Sequence, residues 1–174
     1  MTDFFAGLEN LSFSIWVRES GSLWAYPGIL FLHTVGLSIV VGVSIAVALR
    51  TLGVARGIPL APLEAFYKVL WAGFWVNALS GLALLLADAT TKLINPVFYI
   101  KMGFVALAMV ATIMLRRRLF GGGAVRDGAP LPSGATLLAA ASLTFWVGAV
   151  TAGRLMAYLG PVSGAPGLNN SLGQ

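Results

Sequence analysis

The sequence predicts an all-α integral membrane protein, a four-transmembrane-helix bundle with an N-terminal amphipathic interfacial helix. Two observations carry that reading. Of 174 residues, 58% are hydrophobic and only 10% charged, against about 25% charged in soluble domains. The apolar residues also gather in four long stretches, and roughly 20 such residues cover a bilayer core at ~1.5 Å per residue. The length suits one bundle, divided into an interfacial helix (1–20), a transmembrane domain (21–160) and a flexible tail (161–174).

The elements follow in order. Over residues 3–19, Phe4, Phe5, Leu8, Leu11, Ile15 and Trp16 recur at helical spacing, with Asp3, Glu9 and Arg18 among them. The stretch is too polar to span and suits the membrane interface or packing against a partner subunit. Its start lacks a basic n-region, unlike a cleaved signal peptide. Gly21 and Ser22 end it, and Trp24 and Tyr26 stand where an aromatic belt belongs.

The first span runs from about Pro27 to Arg50, with proline in its first turn. Gly53, Gly57, Pro59 and Pro62 break the connection to a second span near 63–87. The short segment DATTKLIN leads to Pro96, which opens a third span to Leu115 and then Arg116, Arg117 and Arg118. A loop rich in glycine and proline precedes a fourth span near 135–158. The tail has no apolar periodicity and is expected to be poorly ordered.

Basic residues set the expected orientation. Arg50, Arg56, Lys68, Arg116, Arg117, Arg118 and Arg126 fall on one side, and Arg18, Lys92, Lys101 and Arg154 on the other. Seven against four places the first and third connections in the cytoplasm of a bacterial inner membrane and both termini in the periplasm.

His33, the only histidine, lies in the first span. An intramembrane imidazole is costly without a partner, which makes it a functional candidate. It stands about 10 Å below the outer end of its helix, with Lys101 at about 8 Å and Arg154 at about 6 Å below theirs. Asp88 ends the second span at the same side. Four segments thus bring ionisable groups to one layer, with no comparable ionisable set in the other half. Each also has a plainer reading: Lys101 and Arg154 can snorkel, Asp88 can cap or pair with Lys92, and His33 can bond a carbonyl or hydroxyl. Asn77 and Ser80 could line the same cavity or only join helices. Gly36, one turn after His33, clears space for a flat macrocycle or for a neighbouring backbone. Phe31, Trp75, Tyr99, Phe104 and Trp146 could wall a planar ligand or face lipid and core.

WAYPGILFLHTVG, SGLALLLADA, INPVFYIKM and FWVGAVTAGRLMAY together resemble a family of uncharacterised bacterial four-helix integral membrane proteins. The matching positions are Tyr26, Pro27, His33, Gly36, Gly81, Asn95, Pro96, Lys101, Gly153 and Arg154. A histidine in the first span and a lysine early in the third are also distantly similar to HemJ-type protoporphyrinogen oxidases and CopD-like membrane domains. That resemblance implies b-type haem or porphyrin chemistry. Many relatives carry a second histidine near the end of the third helix, where this chain has Met114 to Arg118.

The expectation is therefore a membrane protein binding haem b or a porphyrin-like cofactor. His33 would be the metal ligand, Gly36 would stand beside the ring, and Lys101 and Arg154 would meet the propionates. Lys101, Met102 or Met156 are the candidates for an opposite ligand. One histidine excludes bis-histidine haem within the chain, and the absence of cysteine excludes c-type haem attachment and cysteine-ligated clusters. Oxidation of a porphyrinogen or electron transfer to quinone would make the protein redox-active, though no pattern identifies an enzyme. The alternative is a non-catalytic membrane subunit or assembly partner, as a homo-oligomer or in a larger complex. A transporter fits less well, since no span is broken and no acidic residue lies at mid-membrane. Nothing suggests nucleic-acid binding.

Overall fold

Four helices long and apolar enough to cross a membrane form the body of the molecule. The structure, a computed structural model, describes residues 2–54, 56–121, 130–156 and 158. The expected flexible tail lies outside the described residues.

The N-terminal stretch forms two short helices, α1 (Thr2–Glu9) and α2 (Ser12–Glu19), instead of the single helix expected. The break is local. Leu11 has extended backbone before α2, and the Ser14 hydroxyl donates to the Leu8 carbonyl at 2.8 Å. A serine that bonds backward across the break stabilises the turn over a continuous helix.

The first span is α3 (Tyr26–Thr51). A 3₁₀ turn over Ala61–Glu64 leads into α4 (Phe66–Ala87), so the second membrane segment starts slightly earlier than expected. The segment DATTKLIN is more than a loop: it holds the five-residue helix α5 (Ala89–Leu93). Lys92 Nζ stands 2.8 Å from the Asp88 carboxylate, so these two pair as the plainer reading of Asp88 had it. α6 (Pro96–Phe120) begins where Asn95 Oδ1 accepts from the Val97 amide at 2.9 Å. That cap and the proline in the first turn explain the sharp start. α6 continues through the arginine triplet, beyond the expected end at Leu115. α7 (Ala135–Leu155) follows Gly134, whose φ of 79° suits glycine, and it stops before Tyr158.

The spans pair as two hairpins. α3 packs along α4, α6 packs along α7, and α3 against α7 joins the pairs. The spatial order is therefore α4, α3, α7, α6. The buried core holds Val40, Val47, Leu70, Leu115, Leu119 and Trp146, and partly covered apolar side chains surround it. The remaining apolar surface faces outward, as lipid-facing helices require.

A polar link crosses this core in the half nearest the α3–α4 and α6–α7 connections. Thr112 on α6 and Ser142 on α7 share a hydroxyl hydrogen bond of 2.9 Å, and the Trp146 indole donates to Thr112 at 3.3 Å. The Thr112 hydroxyl also lies 3.5 Å from that of Ser44 on α3. All four residues are buried. Trp146 is therefore a core residue of this link and not a wall for a ligand at the His33 end.

The two N-terminal helices are tied to the far end of α4. Arg18 Nη1 donates to the Ala87 carbonyl at 3.2 Å, and Glu9 Oε1 accepts from the Thr90 amide at 2.7 Å. These satisfy a carbonyl at the end of one helix and an amide at the start of the next. Val17 is fully buried there, whereas Phe4, Phe13 and Trp16 stay exposed.

Candidate functional site

His33 sits on the second turn of α3 and is half-buried against α4. Its Nδ1 lies 2.9 Å from the Asn77 carbonyl oxygen, and Asn77 Nδ2 donates back to the His33 carbonyl at 2.8 Å. A carbonyl only accepts, so the neutral imidazole carries its proton on Nδ1 and its lone pair on Nε2. Asn77 Nδ2 and Ser80 Oγ each lie 3.3 Å from Nδ1, and Ser80 also bonds its own helix at Val76. Nε2 makes no hydrogen bond among the described residues.

Glycines make this approach possible. A Cβ at Gly36 would meet Asn77 N at 2.6 Å and Gly73 O at 2.8 Å, and one at Gly73 would meet Ile39 at 2.6 Å. Gly36 therefore serves the second of its two possible uses: it admits the α4 backbone, and the space beside it is not left for a ring. The glycine that makes room for the imidazole is Gly81, where a Cβ would stand 2.8 Å from His33 Cε1.

Lys101 and Arg154 form a second group, on the α6–α7 hairpin. The Lys101 stem lies along Gly153, about 3.6 Å from where a Cβ would stand. Lys101 is half-buried and forms no ion pair among the described residues. Arg154 is exposed, with its guanidinium 5.4 Å from the Tyr158 ring centre. Asp88 pairs with Lys92. Of the aromatics considered as ligand walls, Phe31, Trp75 and Tyr99 are exposed, and Phe104 packs on Phe145 and Gly148.

Sequence reasoning missed the role of Gly81 and the whole Ser44–Thr112–Ser142–Trp146 link. A signal for the latter was present: three hydroxyls on three helices at comparable depth, with a tryptophan one turn from Ser142. Among the described residues, no three His, Cys, Asp or Glu side chains cluster as metal ligands. No family model, curated protein or solved structure matches the chain.

Chemically, the α3–α4 pair offers one neutral, oriented nitrogen lone pair, and the α6–α7 hairpin offers two cations. The lone pair can bind a metal ion or accept a hydrogen bond from a ligand hydroxyl.

Proposed function

We propose that this protein binds haem b or a porphyrin-like cofactor within the membrane, with His33 Nε2 as its axial ligand. The observation that carries the reading is the pair of ring nitrogens. Nδ1 donates to a backbone carbonyl while Nε2 has no hydrogen bond among the described residues, and a metal-bound histidine usually donates its other ring N–H in this way. Lys101 and Arg154 supply cations for two carboxylates. Gly36 drops out of the cofactor set, since α4 fills its space. Haem, when bound, supplies one-electron chemistry, with quinone as a suitable membrane partner. The basic-residue asymmetry supports a bacterial inner-membrane location with both termini periplasmic.

The second reading is a non-catalytic membrane subunit or assembly partner. It is favoured by the reciprocal His33–Asn77 hydrogen bonds, which use the imidazole as a helix clamp through Nδ1 without a ligand.

The test is an oxidised and reduced absorption spectrum of the purified chain, expressed with ample haem, beside His33→Ala. A Soret band in the parent that His33→Ala loses supports ligation. A colourless parent after reconstitution with haem and with protoporphyrin overturns the first reading and leaves the second.

A further inference from the structure

A second site lies at the opposite end of the bundle. A cavity of about 390 Å³ opens there between the start of α4 and the end of α6. Lys68 and Arg116 line it with their charges, Tyr67 and Trp71 with their rings, and Glu64 with its carboxylate. The Arg116 guanidinium stands 5.4 Å from the Tyr67 ring centre, which holds it over the cavity wall. Its contact with Glu64 is loose, at 3.9 Å and with both side chains well exposed, so that pair contributes little. Lys68 is exposed and forms no ion pair or hydrogen bond through its side chain among the described residues.

Position and charge together identify a ligand class. The second membrane segment begins at Ala61, so Glu64, Tyr67 and Lys68 fall within its first two turns, near where an apolar span meets the headgroups. Tryptophan and tyrosine favour that level. Two cations and one carboxylate leave the lining at +1, which one singly charged phosphodiester balances. Arg50, Arg117 and Arg118 lie in the same half of the chain's spans and add to the attraction for anions.

We propose that this cavity binds the headgroup of an anionic phospholipid, its phosphodiester between Lys68 and Arg116 and its glycerol against Trp71. The site is independent of the His33 cluster and of any cofactor there.

Native mass spectrometry of the full chain in detergent, titrated with phosphatidylglycerol, tests this. Lys68→Gln and Arg116→Gln are each expected to weaken the first lipid adduct roughly fivefold, the effect of one cation at an anionic surface. Glu64→Gln should strengthen it, since a competing carboxylate is gone. Arg118→Gln, equal in charge but outside the cavity lining, should weaken it clearly less than either. Circular dichroism checks each variant's fold; if Arg116→Gln loses helix, the exposed Lys68→Gln and Glu64→Gln pair decides. Equal loss with Arg118→Gln, or no loss with Lys68→Gln, overturns the site. Equal binding of phosphatidylcholine overturns the anionic headgroup. Displacement of the lipid by millimolar glycerol phosphate would make it a soluble-anion site and also overturn the proposal.

Discussion

His33 and Asn77 are joined twice, and each time a side chain of one meets the backbone of the other. The imidazole bonds the Asn77 carbonyl, and the carboxamide bonds the His33 carbonyl. Neither bond depends mainly on the other's side chain. His33→Ala and Asn77→Ala should each destabilise the bundle by about 1 kcal/mol, a usual size for hydrogen bonds between membrane helices. The two side chains also lie 3.3 Å apart, so a modest coupling of about 0.5 kcal/mol is expected in the double variant. Unfolding of the singles and the double in mixed micelles measures this, and a strong coupling would mean that the side chains bond each other.

Gly36 and Gly42 share a helix but not a role. A methyl at Gly36 strikes α4 backbone, whereas one at Gly42 meets nothing within 4 Å. Gly36→Ala should cost about 1–3 kcal/mol through separation of α3 from α4. Gly42→Ala should be neutral or mildly stabilising through helix propensity. Thermal unfolding of the two variants side by side is sufficient, and equal losses would place α4 elsewhere.

Thr112 is the hub of the buried polar link. Thr112→Val keeps the shape but leaves the Trp146 indole and the Ser142 hydroxyl without their partner. Unsatisfied buried groups cost about 1–3 kcal/mol. Ser142→Ala removes one bond and should cost less. The order of the two melting temperatures checks the assignment, as does a blue shift of Trp146 emission on loss of its hydrogen bond.

Tyr67 is the opposite case. Its hydroxyl is buried and has no hydrogen-bond partner among the described residues. Tyr67→Phe keeps the ring contact with Phe120, at 6.1 Å, and removes the unpaired group. The expected result is unchanged or slightly raised stability, by up to ~1 kcal/mol. A clear loss in a denaturant titration would show that the hydroxyl is bonded in the membrane.

These contrasts explain what could be read from residues alone. The four spans were legible because twenty-odd apolar residues in a row have few other uses. The turn at Asn10 was not, because Leu8, Leu11 and Ile15 keep a helical period across it and only the Ser14 hydrogen bond breaks it. His33 stood out as a lone imidazole, and Asn77 was noted as a possible helix-joining residue. Choosing between the two uses of Gly36 required the position of α4. The hydroxyl link was hidden for a physical reason. A Ser or Thr in an apolar helix usually bonds its own preceding turn, as Thr34, Ser38, Ser44 and Thr51 all do here. Nothing in the residue type says which hydroxyl also reaches a neighbour.

The order α4, α3, α7, α6 has a consequence for how the chain is made. Each hairpin closes on a partner adjacent in sequence, so α3–α4 can be complete before α6 leaves the ribosome. The later step is the meeting of α7 with α3, two finished halves docking side by side. α5 is the strand of chain that tethers them. A gene cut within 89–93 and expressed as two polypeptides should therefore still yield a bundle, assembled in the membrane from separately inserted pieces.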